Sequence, residues 1–409
     1  MSISVQTVLH KIRESKPDDL LFYLLWAAFF SLPLGTSPPT IFGVLAVLVW
    51  VFSGMAFRPE STCFGKPWFW PIFALIALPW IGLLYSPDPE ELGMVFAKKS
   101  HYWLYCMAVA AIPFLKRRPG GLIKAFLGGL ALNTFAASLQ FAGILEPVNG
   151  VQYHGFGLGY STVSTYLVLG ILMASYYFGN TEGKMQKVLS GFLMVFYFFH
   201  LIILQGRVGF FTFFVLSPLI VHNLLARPGI LKISAICFVL LGSMFISPVV
   251  RDRVSLSIDE LKYHMNADRG SAWGREYSEK QDRFYMWYGA IEIFMENPFL
   301  GVGTGGYQTV MKQRGEPGWP VHAHPHNSFL YMAVSFGLIG VACLLWFFWE
   351  IMKNSWREKH TQSGFFVLSV SLVIFVSGFV DTQIADAGTA FLLALAAGLQ
   401  NGFPRFMGN

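Results

Sequence analysis

The sequence predicts an all-α, polytopic transmembrane protein of about twelve spans, with one large and partly helical loop between spans 9 and 10. Of its 409 residues, 54% are hydrophobic and only 13% are charged, and the mean hydropathy is +0.52. A soluble domain carries about 25% charged residues. Apolar runs of spanning length recur along the chain, and basic residues collect in alternate connections. The net charge of +6 therefore indicates cytoplasmic loops and not nucleic-acid binding.

The spans follow from the length of the apolar runs, because a helix needs about 20 such residues to cross a bilayer. The fourth run is short, and the run from Leu20 lacks a following cleavage site, so it is predicted to be a retained first span. The predicted spans are 20–36, 40–57, 69–85, 101–115, 122–144, 160–179, 187–205, 208–225, 230–249, 328–352, 364–380 and 386–403.

The distribution of Lys and Arg supports this count. With the N-terminus inside, seventeen basic residues lie on the inner side, and the short outer loops hold only Lys98, Lys99 and Arg207. If one span had been missed, every later loop would be assigned to the wrong side of the membrane and this contrast in basic residues would be lost. Both termini are therefore predicted to be cytoplasmic.

The connection 250–327 is the only substantial polar segment, and it separates the spans of 1–249 from those of 328–409. It faces outward and holds ten of the 23 acidic residues. Apolar residues at helical spacing between Phe284 and Phe294 predict a helix in its middle, which Asn297-Pro298 would end.

Arg207 lies in a tight, glycine-flanked turn between two apolar spans, on the side where Arg is disfavoured. One interpretation is an interfacial arginine that extends to the lipid headgroups. The other is a functional cation facing a cavity and an anion, with the glycines allowing a ligand to approach the backbone.

Arg283 begins the predicted loop helix and shares a helical face with Trp287 at position i+4. It is either a surface arginine stacked on the indole or a second anion-binding group, since guanidinium suits bidentate phosphate contacts.

His322, His324 and His326 alternate immediately before the tenth span. In extended backbone they point to one face and could together bind zinc or copper, although no cysteine or spaced carboxylate completes the set. They could instead cap the next helix. The third interpretation is a general base near neutral pH, for which His326, followed by Asn327 at the helix entrance, is best placed. The glycine-rich stretch 301–306 follows a helix and not a strand, which excludes a dinucleotide site.

Several of these motifs together resemble the bacterial O-antigen ligase and O-antigen polymerase superfamily. The resemblance extends over about 205–345 and includes the glycine-flanked Arg207, then Asp282-Arg283 with Trp287. The later motifs are Asn297-Pro298-Phe299-Leu300-Gly301-Val302-Gly303, His326-Asn327-Ser328-Phe329-Leu330 and Gly337-Leu338-Ile339-Gly340.

The resemblance implies a glycosyltransferase that uses no metal and no cofactor and works at the periplasmic face of the bacterial inner membrane. Its donor would be a glycan on undecaprenyl diphosphate, and its acceptor the lipid A–core oligosaccharide. His326 would be the catalytic base, and Arg207 and Arg283 would hold the donor diphosphate. The supporting residues would be His324, Asn327, Tyr307 and Trp287.

The residues themselves are compatible with this chemistry. A diphosphate is a stable leaving group, so its departure needs positive charge more than a strong acid. A sugar hydroxyl needs a base, and direct displacement would invert the anomeric carbon. The alternatives are a polymerase of the same superfamily, whose acceptor is another lipid-linked repeat, and a lipid-linked glycan transporter. A transporter is expected to show internal repeats, and none is evident here.

Overall fold

The computed structural model describes residues 17–58, 63–111, 119–148, 153–204, 206–225, 229–244, 283–314 and 321–400, with a few helical positions between 251 and 262. Within these residues the chain is helical and contains no β-strand, which confirms the all-α prediction. Asp282 and most of 250–282 lie outside the described residues. The α-helices are α1 Pro17–Ser31, α2 Ser37–Phe52, α3 Phe69–Ile81, α4 Met94–Lys98, α5 Tyr105–Val109, α6 Gly120–Phe141, α7 Tyr160–Asn180, α8 Lys184–Ile203, α9 Arg207–Leu224, α10 Ile230–Met244, α11 Arg283–Glu296, α12 Gly306–Arg314, α13 Ser328–Arg357, α14 Gln362–Ser377 and α15 Ala387–Gly398.

Six described helical segments are long and apolar enough to cross a membrane, which supports a multi-pass membrane protein. They are Pro17–Leu34, Gly120–Phe141, Tyr160–Asn180, Lys184–Ile203, Arg207–Leu224 and Ser328–Arg357. Four shorter apolar segments are Ser37–Phe52, Phe69–Tyr85, Gln362–Ser377 and Ala387–Gly398. The count of twelve spans, the three-part division of the chain and the cytoplasmic termini remain predictions.

The fourth predicted span, 101–115, differs from a regular helix where the structure describes it. After α4, the chain forms a 3₁₀ stretch at Lys99–Leu104 and then the short helix α5. The polar run from Lys98 to His101 interrupts the apolar pattern at this point, and short 3₁₀ turns are common where a helix is strained or terminates. Lys99 is therefore carried on irregular backbone.

Helix α7 occupies the middle of the bundle. It packs against α8, α9 and α14, and its residues are buried on all sides from Thr162 to Tyr176. A helix that is buried all round belongs to a core. Small hydroxyl residues such as Ser164 and Thr165 allow the close helix contacts found in membrane bundles.

The glycine-rich turn after α11 is clamped to α13. Val302 N–H donates to the Val334 carbonyl over 2.8 Å, and Gly303 N–H donates to the Ser335 carbonyl over 3.0 Å. Helix α13 is kinked at Gly337, which has a φ of +62°. The turn therefore has a structural role, and α11 ends at Glu296 as Asn297-Pro298 predicts.

Candidate active site

The segment before α13 is tied to the segment after α14 by main-chain and side-chain hydrogen bonds. Ser328 N–H donates to the Gly378 carbonyl over 2.7 Å, and Asn327 N–H donates to Thr382 Oγ1 over 3.1 Å. The Asn327 side-chain amide donates to the Phe379 carbonyl over 2.9 Å. These bonds place the end of the histidine segment against 378–382.

Asn327 also begins α13. Its Oδ1 accepts from the N–H groups of Phe329 and Leu330 at 2.9 and 3.0 Å, which makes it the N-cap. The preceding His326 has a φ of +49°, the only non-glycine residue with positive φ among those described. Such backbone costs of order 1–3 kcal/mol and occurs preferentially at functional sites.

His326 and Asp381 form the centre of the site. His326 Nδ1 lies 2.7 Å from Asp381 Oδ1, and their side chains are 21% and 13% exposed. An ionised carboxylate only accepts hydrogen bonds, so Nδ1 carries the proton. In the neutral ring, Nε2 is then the acceptor and can take a proton from another group.

The surroundings keep Asp381 ionised. Burial raises its pKa, but the hydrogen bond and charge of His326, the Ser161 hydroxyl and the charge of Arg283 together hold it well below its usual range. Ser161 donates to Oδ2, and Thr382 N–H donates to Oδ1 over 2.8 Å. Gln383 in turn donates to Ser161 Oγ over 3.0 Å, so α7 contributes directly to the site.

All three histidines come together. The ring centroids of His322 and His324 lie 5.0 and 4.7 Å from that of His326. His324 Nδ1 is buried and makes no hydrogen bond within the described part of the chain. Burial, with a smaller effect of neighbouring charges, lowers the pKa of His324 to about 4.

Three side chains of the same cluster are of types that bind metal ions. Nitrogen and oxygen atoms of His324, His326 and Asp381 all lie within 4.8 Å of one another. Asp381 thus supplies the carboxylate that the histidine motif lacks in sequence. The donor types fit zinc, whose ligands would be these three residues. The hydrogen bond between His326 Nδ1 and Asp381 Oδ1 also allows a second interpretation of these residues. In it, His326 is a general base and Asp381 is the carboxylate that orients it.

Arg283 begins α11, which packs against α13, and its charge is among the causes that lower the pKa of Asp381. On the same helix, Trp287 Nε1 is buried without a hydrogen-bond partner among the described residues. Tyr307 is buried beneath α11, where its hydroxyl donates to the Met286 carbonyl over 3.3 Å. Tyr307 therefore supports the position of α11 through packing.

Arg207 begins α9, beside the first turns of α7. A Cβ on Gly206 or Gly209 would lie 3.1 or 2.5 Å from the Ser164 side chain. The sequence predicts that these glycines allow a ligand to approach the backbone. In the structure they allow the close approach of α7. Arg207 and Ser161 therefore lie at the starts of two helices, α9 and α7, that pack together.

Sequence reasoning missed Asp381 and Ser161 as site residues. Asp381 follows predicted span 364–380 directly, in the short outer loop before span 386–403. An acidic residue at the end of an apolar span is a functional signal, and the predicted topology puts Asp381 on the same side of the membrane as His326, so this signal could have identified it. Nothing in the local sequence marks Ser161.

Comparison with known proteins shows that part of the chain is similar to one family. Residues 192–345 match the family model described as O-Antigen ligase. A Rickettsia conorii protein named "Putative polysaccharide ligase" is 23% identical over 181 residues, which are 42% of this chain and 41% of that protein. The chain thus aligns with less than half of that relative. The resemblance is confirmed over a segment that contains Arg207, Arg283 and His326 but not Asp381.

Proposed function

We propose that this chain, whose residues 192–345 match the O-antigen ligase family, is an inverting glycosyltransferase of the ligase type. It transfers a glycan from undecaprenyl diphosphate to the lipid A–core oligosaccharide at the periplasmic face of the inner membrane. The observation that carries the proposal is the 2.7 Å contact between His326 Nδ1 and Asp381 Oδ1, with the charge of Arg283 acting on Asp381.

In the proposed reaction an acceptor hydroxyl attacks the anomeric carbon of the donor glycan. Nε2 of His326 removes the hydroxyl proton as the new C–O bond forms. The bond from the anomeric carbon to the diphosphate breaks, and the diphosphate leaves with the electron pair. Asp381 orients His326 and stabilises the imidazolium, as the carboxylate does in a Ser-His-Asp triad.

The arginines supply the positive charge that the departing diphosphate requires. Guanidinium groups bind phosphate oxygens through paired hydrogen bonds, and a partly water-excluded site strengthens this interaction. Arg283 is proposed for this role because of its electrostatic effect on Asp381. Arg207 is proposed because α9 begins beside the same end of α7.

The test is glycan transfer by the purified full chain in lipid nanodiscs. We expect His326→Ala to abolish turnover, and Arg207→Gln and Arg283→Gln to raise the donor KM. His222→Ala, on an exposed residue at the other end of α9, is the matched control for the histidine. Arg314→Gln, at a residue whose ion pairs within the described part of the chain are those to Glu292 and Glu296, is the control for the arginines.

Two results would contradict the proposal. Transfer at the wild-type rate by His326→Ala would exclude the base. Loss of activity with a chelator, restored by zinc, would assign His324, His326 and Asp381 to a metal. The lipopolysaccharide pattern of a deletion strain separates ligase from polymerase. Core without O-chain indicates a ligase, and core with a single repeat indicates a polymerase.

A further inference from the structure

A cleft lies at the opposite end of the helix bundle from His326, and the mechanism above does not use it. It has a volume of about 310 Å³ and lies between the ends of α7, α9 and α13 and the first turns of α14. Helix α7 connects it to the catalytic end, where Ser161 donates to Asp381. At a rise of about 1.5 Å per residue, Asn180 at the cleft lies about 28 Å along α7 from Ser161. This distance is close to the thickness of the apolar part of a bilayer, so the cleft lies at the other membrane interface.

Contacts between helices hold the walls of the cleft in place. The Tyr176 ring stacks on Phe365 with the ring centroids 4.3 Å apart, and its hydroxyl donates to the His360 carbonyl over 3.1 Å. The Asn223 side-chain amide donates to Ser175 Oγ over 3.0 Å. These contacts join α7 to α9 and to the start of α14. The cleft is therefore preformed, and its volume lies at the lower end of the range of roughly 300–1,000 Å³ for small-ligand sites.

Three side chains that line the cleft can donate hydrogen bonds to an anion. The Asn180 amide donates to the Tyr176 carbonyl over 2.9 Å, and the Asn223 amide makes the bond given above. Each amide has two N–H groups, so each can offer a second one. Lys359 adds an ammonium 3.6 Å from the centre of the Trp356 ring, and this cation–π contact holds it at the cleft. No Asp or Glu is among the lining residues in the part of the chain that the structure describes. The cleft is thus complementary to an anionic group.

Exposed apolar side chains continue from the cleft along two helices towards the middle of the bundle. On α13, Trp356 lines the cleft, and Trp349, two turns away on the same face, is 64% exposed. On α9, Leu219 lines the cleft, and Val215 and Phe211 follow at four-residue spacing with 41% and 38% exposure. Tryptophan is enriched where a membrane protein meets the lipid headgroups. A ligand that fits both environments carries an anionic group in the cleft and apolar chains on the helix faces beside it.

We propose that this cleft binds the phosphate group of an anionic phospholipid from the membrane leaflet on its own side. The distribution of Lys and Arg predicts that this side is the cytoplasmic one. Lys359 pairs with the phosphate, the amides of Asn180 and Asn223 donate to its oxygens, and the acyl chains lie along α9 and α13. Basic pockets between transmembrane helices on the cytoplasmic side are known to bind phospholipid headgroups. A free phosphate would leave the exposed helix faces uncovered. The inference does not depend on the proposed glycan transfer.

The phosphate contact is tested by equilibrium binding of three probes to the full chain in detergent, followed by native mass spectrometry. The probes are dioleoyl phosphatidylglycerol, dioleoylglycerol and inorganic phosphate. The wild type should bind the phospholipid more tightly than dioleoylglycerol, which lacks the phosphate, and more tightly than inorganic phosphate, which lacks the chains. Lys359→Gln should weaken binding of the phospholipid roughly 10- to 100-fold, the range for a lost charged hydrogen bond, and leave dioleoylglycerol unchanged. Lys359→Arg should restore part of the affinity.

A second variant and a matched control separate this site from general attraction of anionic lipid to basic residues. Asn180→Asp, at an exposed residue, places a carboxylate against the phosphate and should weaken binding of the phospholipid while leaving dioleoylglycerol unchanged. Lys187→Gln, at an exposed lysine of α8 that does not line the cleft, should bind all three probes as the wild type does. Thermal unfolding in detergent identifies a variant that has misfolded, and the other variant then decides the test.

Three results would overturn the inference. Equal affinity of the wild type for the phospholipid and for dioleoylglycerol would show that the headgroup is not recognised. Inorganic phosphate that binds as tightly as the phospholipid would make the cleft a site for a soluble anion. Wild-type affinity for the phospholipid in a folded Lys359→Gln or Asn180→Asp, or an equal loss in Lys187→Gln, would assign the binding to surface charge outside the cleft.

Discussion

Replacing Asp381 with Asn tests how His326 is activated, because this change removes charge and preserves the hydrogen-bond pattern. Thr382 N–H donates to Oδ1 over 2.8 Å, so an amide oxygen is favoured at that position. The side-chain nitrogen of the new Asn then faces Ser161, whose hydroxyl oxygen can accept a hydrogen bond from it. His326 Nδ1 keeps an oxygen acceptor, and the ring keeps its tautomer.

The expected loss of kcat follows from the 2.7 Å contact between His326 and Asp381 and from the partial burial of both side chains. Two unit charges about 4 Å apart interact by about 4 kcal/mol at an effective dielectric constant of 20. With about half of the proton transferred in the transition state, the lost stabilisation is about 2 kcal/mol, or roughly 30-fold in kcat. Asp381→Ala also loses a charged hydrogen bond of about 1.5–3 kcal/mol, which brings the expected loss to roughly 1000-fold.

The assay is the initial rate of glycan transfer by purified protein at saturating donor. We expect kcat to fall in the order wild type, Asp381→Asn, Asp381→Ala, while the donor KM changes little. Asp386→Asn is the matched control, since Asn replaces Asp well as an N-cap and Asp386 does not contact His326. Wild-type kcat in Asp381→Ala would refute the proposed role of this carboxylate.

Three further predictions concern stability. Gly337→Ala should lower the unfolding temperature, because its φ is +62° and a Cβ would lie 2.2 Å from the Phe299 backbone; Gly242→Ala, with open space around it, is the control and should not. Asn327→Ala should reduce the free energy of unfolding by about 1–2 kcal/mol through loss of the N-cap, measured by denaturant titration in detergent, and an unchanged midpoint would contradict this. Because burial lowers the pKa of His324 to about 4 from about 6.5 when unfolded, the folded state binds fewer protons between these values. Stability should therefore fall as the pH drops from about 6.5 to 4. His324→Gln should flatten this part of the unfolding-temperature profile, and an identical profile would count against the prediction.

The helical class and several element ends could be predicted from the sequence because they depend on neighbouring residues. Apolar run length and the distribution of Lys and Arg indicate a membrane protein. The spacing of apolar residues after Arg283 predicts α11, and Asn297-Pro298 predicts its end. The irregular segment 94–109 was not predicted, because run length alone does not distinguish a regular helix from a broken one.

The three histidines and two arginines could be selected from the sequence because their charge is unusual beside apolar spans. The sequence left the roles of the histidines open among metal ligand, helix cap and base. Tertiary structure decided which groups meet. The separations along the chain are 55 residues for His326 and Asp381, 220 for Ser161 and Asp381, and 286 for Lys99 and Ala385. Periodicity and turn chemistry act over a few residues, whereas these contacts arise from how α7, α13 and the ends of α14 and α15 pack. Only that packing places a carboxylate on Nδ1 of His326 and leaves Nε2 to accept a proton.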